Sequence, residues 1–471
     1  MMNMRKMKTL LSMLLVILIV AGIVAGCSGN AGAAANSVVA NASENVIDEN
    51  NMMSIIQELT SKKYDGRLAG TEGNRLAAQY ISDYFKKIGL ENPKGLDNYM
   101  QFYKQPVVTL NSIPTLSIAD KAGKTVEEFK YVDNFEVRVL SSSTNDIDIN
   151  APLYVLNYVE DLDDTNKELK GKMLLIGYAL RYSLYNDTVI SKAYSSGALG
   201  VIAEYDARTK YRSKGAQFMA TMIGTTLQKQ YNPFINIDSD SFAKLKEASD
   251  KNQVVNFKCS FSLDPAKEVP NVIGLLPGRD EKLKDQYIII GSHLDHVGDN
   301  LNGTYNPGAL DNASGTAAMM EIAGVLKQSN IQPKKSILLM SFNGEESQML
   351  GSAYYAAHPV YPLEHAVVVN LDMVGSTRKL PLTINTSDNG LRLSKELKGY
   401  AKELGIDTYD GDDEDSDHVS FLKAGVPAVT LINNDFSNGY HSPGDTIEDV
   451  SAERIEQVVK LVLYYIDKTA Y

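Results

Sequence analysis

Carboxylate and imidazole side chains recur in the second half of this 471-residue chain in an order that suits metal-assisted hydrolysis. In chain order they are His293, Asp311, Glu345, Glu346, Asp372 and His441. Carboxylate oxygens mixed with imidazole nitrogens, with no thiolate among them, are the ligand set of a hydrolytic zinc-type site. If Glu345 is set aside as a base, five ligands remain, which is more than one ion in an open catalytic site takes from protein. The set therefore predicts two ions that share one bridging carboxylate.

The elements that must position these residues can be recognised from runs of apolar residues. Four such runs predict strands buried on both faces, as in a parallel sheet: 287–290, 336–342, 366–371 and 428–432. His293, the Glu345–Glu346 pair, Asp372 and His441 follow these runs in that order, and Asp311 precedes a predicted helix. Open parallel sheets bind ligands beyond the carboxyl ends of their strands. The sequence therefore predicts that all six residues converge on one edge of one sheet.

Helical periodicity alternates with these runs and predicts the fold class. Helices are predicted at 52–62, 71–88, 313–327 and 391–404. In the second of these, apolar residues recur every three or four positions, Thr71 suits an N-cap and Gly89 suits a C-cap. The alternation of strand, loop and helix predicts an α/β fold, with a mixed, mostly parallel sheet sandwiched by helices.

The region from 103 to 265 has a different pattern. Short alternating or β-branched runs occur at 107–110, 153–156 and 173–176, and no histidine lies anywhere in the region. The pattern predicts a β-rich domain inserted into the α/β domain, without catalytic chemistry of its own.

The first 51 residues are predicted to lie outside the folded domains. A basic stretch precedes a short apolar run at 10–20, as in a secretory signal peptide. The small residues before Cys27 resemble a bacterial lipoprotein lipobox, which implies cleavage before Cys27 and acylation of its thiol. A plain secretory signal is the alternative. We expect a lipoprotein signal peptide over 1–26, a flexible tether over 27–51, and a protein held by lipid on the extracytoplasmic side of the cell membrane.

Composition narrows the classes of partner. The formal net charge of −12 argues against a nucleic-acid partner for the folded part. The only cysteine besides Cys27 is Cys259, so an acylated Cys27 leaves no possible intrachain disulfide. Cys259 is then expected to be a small buried residue.

Short segments around the six residues resemble the metal-binding motifs of the M28 family of metallopeptidases. They are GSHLDHVG at 291–298, PGALDNASG at 307–315, FNGEE at 342–346, NLDMVG at 370–375 and YHSPGDT at 440–446. The segment SDH at 416–418 also matches, and the resemblance extends over about 64–102 and from 269 to the C-terminus. It implies a zinc-exopeptidase fold that acts on peptide substrates.

The resemblance also implies how the ligands divide. His293 and Asp372 would hold one Zn²⁺ ion, Glu346 and His441 would hold the second, and Asp311 would bridge the two Zn²⁺ ions. In relatives the peptide bond that follows the bridging aspartate is cis.

Three further residues are expected to take part in catalysis. Glu345 would be the general base that takes a proton from the attacking water and passes it to the leaving amine. Asp295 would hydrogen-bond the imidazole of His293, because a ligating histidine usually gives its other N–H to a carboxylate. Tyr440 would help to stabilise the oxyanion. His296 and His418 are expected to support the site without binding metal.

The middle region resembles a protease-associated (PA) domain in two segments, 169–176 and 193–202. The resemblance implies a peptidase domain formed by 52–102 and 266–471, with a PA-like domain inserted at 103–265. Its expected role is to shape substrate access.

These features favour a two-zinc aminopeptidase, and three alternatives stay open. A glutaminyl cyclase shares the fold but uses one zinc ion. A carboxypeptidase or dipeptidase would need a cationic pocket, for which Arg378, Lys379 and Arg392 are available. A catalytically silent binding protein would have no need of Glu345.

Overall fold

The computed structural model describes residues 47–138, 146–162, 168–181, 192–205, 233–436 and 439–471. The predicted signal peptide and nearly all of the predicted tether lie outside these residues. Within the described part of the chain, no helix is both long enough and apolar enough to cross a membrane.

The helices follow the predicted periodicity closely. They are α1 (Glu49–Leu59), α2 (Glu72–Ile88), α3 (Tyr178–Arg181), α4 (Ser239–Asp250), α5 (Gly315–Gln328), α6 (Leu350–Ala357), α7 (Leu391–Glu403), α8 (His418–Lys423) and α9 (Ala452–Ala470). Thr71 caps α2 by accepting a hydrogen bond from the amide of Asn74, and Gly89 ends the helix in the left-handed conformation, as predicted. The first helix begins three residues earlier than predicted because Asp48 accepts a hydrogen bond from the amide of Asn51 and acts as its N-cap.

The strands form one continuous sheet. They are β1 (Met100–Leu110), β2 (Thr115–Ala119), β3 (Thr125–Phe129), β4 (Phe135–Arg138), β5 (Asp146–Leu156), β6 (Met173–Ile176), β7 (Gly200–Glu204), β8 (Phe234–Ile237), β9 (Val254–Leu276), β10 (Tyr287–His293), β11 (Ser336–Phe342), β12 (Val367–Asp372), β13 (Leu382–Asn385), β14 (Thr408–Gly411) and β15 (Ala428–Ile432). The half that follows the inserted region has the order β14-β13-β15-β12-β10-β11-β9. Its central strands β15, β12, β10 and β11 are parallel, and β13 and β9 flank them in antiparallel pairing. The predicted mixed, mostly parallel sheet is confirmed.

Helices cover both faces of this half of the sheet. On one face α1, α2, α5, α7 and α9 bury their apolar residues in a common core with β10, β11, β12 and β15. On the other face α6 and α8 pack Tyr355 and Phe421 against the same strands. Because both faces are covered, these strands are buried along nearly their whole length, which explains their uninterrupted apolar runs.

The inserted region is joined to this sheet by two long strands. β1 and β9 pair in antiparallel register from Met100 opposite Val272 to Leu110 opposite Phe261, with one register shift between Gln105 and Val107, and so cross both predicted domain boundaries. Beyond that ribbon, β2, β3, β5 and the first half of β9 enclose a second core with β4, β8 and α4. Cys259 is buried in it, as expected, and burial raises the pKa of its thiol to about 12.

Candidate active site

The structure brings the six predicted residues together at one edge of the sheet. His293 is the last residue of β10 and Asp372 the last of β12, while Glu345 and Glu346 follow β11 within four residues. His441 lies in the loop after β15, and Asp311 lies in the irregular turn that leads into α5. The sequence pattern ended the first of these strands at residue 290. It continues to His293 because Gly291, Ser292 and His293 still pair with β11.

One group of donors consists of His293, Asp311 and Asp372. The imidazole Nε2 of His293 lies 3.2 Å from Oδ1 of Asp372 and 3.4 Å from Oδ1 of Asp311. All three side chains are buried, and their nearest donor atoms lie within 4.8 Å of one another. Two carboxylates and one imidazole converging in this way fit the preference of zinc for nitrogen and oxygen ligands in tetrahedral arrangement.

A second group shares Asp311 with the first. Its other members are Glu346, His441 and His296. The Nε2 atom of His441 lies 3.0 Å from Oδ2 of Asp311 and 3.1 Å from Oε2 of Glu346. Asp311 thus presents Oδ1 to the first group and Oδ2 to the second. A carboxylate placed between two sets of donors has the geometry of a bridging ligand.

His296 is the member of the second group that the sequence prediction left out of the ligands. Its Nδ1 lies 3.0 Å from Oε1 of Glu346, whereas His441 pairs with Oε2 of the same carboxylate, and 3.8 Å from Oδ2 of Asp311. A fourth protein ligand would close a tetrahedral site, whereas a catalytic zinc site keeps one position open. We therefore assign His296 an N–H···O hydrogen bond that orients Glu346. The feature of the sequence that could have indicated this role is the position of His296, three residues after the candidate ligand His293.

The turn that carries Asp311 is held by contacts from distant parts of the chain. The peptide bond between Asp311 and Asn312 is cis, as the family resemblance implied. The carboxylate of Asp445 accepts hydrogen bonds from the amides of Leu310, at 2.7 Å, and Asp311, at 3.0 Å. The side-chain amide of Asn312 donates to the carbonyl of Leu371, which directly precedes Asp372. Asp445 and Asn312 were not predicted as supporting residues, although they lie in the segments 440–446 and 307–315 that resemble the family's motifs.

The structure places the carboxylate of Asp295 differently from the expectation. Its Oδ1 lies 3.8 Å from Nδ1 of His293, and Nδ1 instead hydrogen-bonds the backbone carbonyl of Asp295 at 3.2 Å. The carboxylate accepts hydrogen bonds from the amides of Glu345 and Glu346, at 3.2 and 3.3 Å. One residue therefore orients the histidine through its backbone and the two glutamates through its side chain.

The Ser416–His418 segment supports Asp372. The hydroxyl of Ser416 donates to Oδ2 of Asp372 at 2.7 Å, which leaves Oδ1 facing His293. The carboxylate of Asp417 is fully buried near His293, Asp295 and Asp372. His418 hydrogen-bonds the hydroxyl of Thr430 on β15 and belongs to neither donor group, as expected.

The pKa values of the site residues are shifted by burial and by the many charged groups around them. Burial alone would raise the pKa of Asp311, but hydrogen bonds to His293 and His441 hold it well below its usual value. Burial raises the pKa of Glu345 well above its usual value. The imidazole of His293 acts in the opposite direction, and the neighbouring carboxylate of Asp372 raises the pKa further. Glu345 belongs to neither donor group, and its Oε2 lies 4.0 Å from Nε2 of His293. A carboxyl group that lies beside the donors and outside both donor groups is placed to act as a general base.

Zinc uptake should depend steeply on pH. Burial alone would lower the pKa of His441, but the carboxylates of Glu346 and Asp311 raise it to about 10, and nearby carboxylates raise the pKa of His293 well above its usual value. Both imidazoles are therefore protonated at neutral pH in the metal-free protein, and the ions must displace those protons. Each displaced proton tightens apparent binding about tenfold per pH unit below the pKa. We expect zinc affinity to rise by at least that factor from pH 6 to pH 7, in competition with a chelator of known pH dependence. A pH-independent affinity would contradict the protonated imidazoles.

Tyr440 lies against the second donor group. Its ring stacks on the imidazole of His441 at a centroid distance of 3.8 Å, and the ring of Phe436 packs against it in an edge-to-face arrangement. Burial, and then the carboxylates of Asp311 and Glu346, raise the pKa of the Tyr440 hydroxyl well above its usual value. The hydroxyl therefore stays protonated near the site and is able to donate a hydrogen bond.

The chain is similar in sequence and in fold to known peptidases. Residues 271–466 match the model of Peptidase family M28. The chain is 27% identical over 412 residues to Aminopeptidase YwaD of Bacillus subtilis (strain 168), covering 84% of this chain and 79% of that protein. It is 22% identical over 334 residues to Carboxypeptidase Q of Mus musculus, covering 68% of this chain and 67% of that protein. The solved structure of BSAP, a zinc aminopeptidase from Bacillus subtilis, superposes with a TM-score of 0.67 at 24% identity, covering 90% of this chain and 95% of that one. This last likeness concerns the fold.

Proposed function

We propose, on the premise that residues 271–466 belong to peptidase family M28, that the protein is a two-zinc aminopeptidase that removes N-terminal residues from peptides. The observation that carries the proposal is the position of Asp311, which offers one oxygen to each of two buried donor groups. Glu345 stands outside both groups and beside them. The M28 match and the aminopeptidase relative over most of the chain support peptide-bond hydrolysis.

In the proposed mechanism, each of the site residues has a separate role in the reaction. Bound zinc ions would polarise the scissile carbonyl and lower the pKa of a water molecule towards neutrality. Glu345 takes the proton of the attacking water and later passes it to the leaving amine, for which its position beside the donor groups is suited. Asp295 fixes the backbone of Glu345, so that the base keeps its orientation through both transfers. The Tyr440 hydroxyl donates to the oxygen on which negative charge develops.

Replacement of Tyr440 by phenylalanine should separate chemistry from binding. The ring that stacks on His441 would remain and the donor would be lost, so we expect kcat to fall about 100-fold, in the range seen when one oxyanion donor is removed, with zinc content and KM nearly unchanged. Steady-state kinetics on a free-amine dipeptide would measure the change. Tyr409→Phe, on the exposed strand β14, is the matched control. An unchanged kcat for Tyr440→Phe would remove the residue from the mechanism.

The alternatives fit the geometry less well. Two donor groups exceed the need of a one-zinc cyclase. A carboxypeptidase would require a cation to bind the substrate carboxylate, but the three candidate cations lie beside acidic residues or at the surface. The guanidinium of Arg378 donates to Asp435 at 3.0 Å, and Lys379 lines a cavity of about 570 Å³ that it shares with the carboxylates of Asp407 and Glu453. Arg392 lies exposed at the start of α7.

A panel of reporter peptides would test the proposed function. The full-length zinc-loaded chain should hydrolyse peptides with a free N-terminal amine and leave N-blocked peptides intact. Cleavage of N-blocked peptides that carry a free C-terminal carboxylate would favour the carboxypeptidase alternative instead. No turnover of any peptide by protein with zinc bound would overturn the proposal and favour a binding protein.

We further propose that the inserted region is a PA-like domain that shapes substrate access. In support, the strand β1 that leads into it contacts the loop of the base, because the Tyr103 hydroxyl donates to the carbonyl of Asn343 at 2.6 Å. A length series of free-amine peptides would test this role. Rates that fall as peptides lengthen are expected, whereas rates independent of length would contradict it.

We also propose that the protein is held at the membrane by lipid on Cys27, which lies outside the described residues. The lipobox-like segment of the sequence supports this anchor. Fatty-acid labelling of the wild-type chain, and its loss in Cys27→Ser, are the expected results. Equal partition of both chains into the aqueous phase of a detergent extraction would refute the anchor.

A further inference from the structure

Arg67 is a buried cation that the proposed mechanism does not use. It lies between α1 and α2, outside the residues that match the family, and is only 1% exposed. No carboxylate hydrogen-bonds its guanidinium among the described residues; its four hydrogen bonds all go to backbone carbonyls. The acceptors are Leu59, at 2.8 Å, Leu294, at 2.9 Å, Pro307, at 2.7 Å, and Gly308, at 2.9 Å.

Three of these acceptors belong to the loops that carry metal donors. The carbonyl of Leu294 directly follows His293, and the carbonyls of Pro307 and Gly308 belong to the turn that leads to Asp311. The fourth belongs to the last residue of α1. The planar guanidinium therefore fixes the separation of two donor loops and fastens both to the first helix. Only arginine offers five N–H donors in a rigid plane, so no other side chain satisfies all four carbonyls.

The backbone of Arg67 extends the same support to two more loops. Its carbonyl accepts hydrogen bonds from the amide of His296, at 3.3 Å, and from the side-chain amide of Asn74, at 3.0 Å. Asn74 in turn makes a reciprocal pair of amide hydrogen bonds with Asn343, at 2.9 and 3.0 Å. Asn343 lies two residues before Glu345.

The charge of Arg67 also suits this place. Burial lowers the pKa of Arg67 below its usual value, and the carboxylates of Asp445, Asp311, Asp295 and Glu346 act in the opposite direction by stabilising the positive charge. These carboxylates repel one another in the absence of metal, and guanidinium is the cation most easily desolvated. A fixed positive charge beside them reduces that repulsion before any ion binds.

We propose that Arg67, assisted by Asn74, is a positioning residue of the metal centre. It pre-assembles the donor loops of both ions, so that zinc binds to a site already formed. The inference rests on the proposed zinc site but not on the identity of the substrate. It predicts that zinc affinity depends on a residue whose side chain hydrogen-bonds only backbone carbonyls among the described residues and that lies more than 200 positions before the metal ligands in the chain.

Zinc affinity of full-length variants, measured at 25 °C by competition with a chelator, would test this role. Arg67→Lys keeps the charge but cannot reach four carbonyls, and we expect it to bind zinc about 10–100-fold more weakly, as when outer-shell partners are lost. Asn74→Asp, which loses the two amide donors, should weaken binding in the same direction. Arg75→Lys is the matched control, because Arg75 is exposed and forms its ion pair with Glu72 on the same helix.

Two further measurements separate positioning from simple stability. Thermal unfolding in the presence of a chelator reports the fold without metal, and the visible absorption of the Co²⁺-substituted protein reports ligand geometry. A changed Co²⁺ spectrum in folded Arg67→Lys is expected. The inference would be overturned if both Arg67→Lys and Asn74→Asp bound zinc with an affinity within about threefold of wild type, because so small a difference is below that of a lost outer-shell partner. This outcome would overturn the inference even if the melting temperatures of both variants fell. If Arg67→Lys does not fold, Asn74→Asp alone decides. Wild-type protein that binds zinc yet cleaves no peptide would overturn only the proposed function.

Discussion

Glu345→Gln is expected to keep its zinc and to lose activity by about a thousandfold in kcat, within the range that a positioned general base contributes. The substitution removes only the group that accepts and returns the proton, because Glu345 belongs to neither donor group. Glutamine has nearly the same shape, and the amide of residue 345 would still donate to Asp295. Zinc content by mass spectrometry and kcat on a free-amine peptide would be measured on the same preparation.

The neighbouring residue provides a sharp control for this experiment. Glu346→Gln makes the same chemical change one position further on, in a side chain whose Oε2 lies 3.1 Å from Nε2 of His441. We expect that variant to lose metal as well as activity. Glu364→Gln, at an exposed position, should change neither. If Glu345→Gln retained activity within about tenfold of wild type, well short of what a general base contributes, the assignment of the base would be wrong.

Asp311→Asn is expected to weaken the binding of both ions at once. Asp311 gives one oxygen to the group of His293 and Asp372 and the other to the group of Glu346 and His441. The amide would leave each group one anionic ligand short. Affinity should therefore fall by more than the roughly 100-fold that marks the upper range for outer-shell partners. Metal content after dialysis should approach zero ions per chain.

Single-site variants test whether two ions share this residue. Asp372→Asn should release one ion and keep the other, because Asp372 belongs only to the first group. Asp412→Asn, in the exposed acidic loop, is the matched control. If the wild-type protein took up a single ion, or if Asp311→Asn lost no more metal than Asp372→Asn, the shared ligand would be refuted.

Much of the site was predictable because it follows from local pattern and topology. Apolar runs marked the buried strands, and ligands placed just beyond parallel strands must meet at one edge of the sheet. The caps of α2 were predictable for the same reason, since Thr71 and Gly89 act on residues within one turn. The end of β10 was misjudged because Gly291 and Ser292 broke the apolar run while the backbone pairing continued.

The supporting contacts could not be predicted, because each joins positions far apart in the chain. Asp445 holds the amide of Asp311 across 134 positions, and Arg67 donates to the carbonyl of Leu294 across 227. Hydrogen bonds of this kind depend on which loops the fold brings together and on how each side chain turns, and neither leaves a periodic signal in the sequence. The same holds for Asp295, whose carboxylate accepts hydrogen bonds from the amides of the two glutamates instead of from the imidazole of His293, two residues before it in the sequence.

The sequence by itself therefore determined the chemistry of this protein: which side chains carry oxygen and nitrogen donors, their order, and the strand ends that present them. Only the tertiary structure decided the distances at which these donors meet around Asp311, that His296 holds Glu346, and that Arg67 fastens the donor loops together. The physical reason is that donor type is a property of single residues, whereas distances of about 3 Å between side chains are a property of the packed fold.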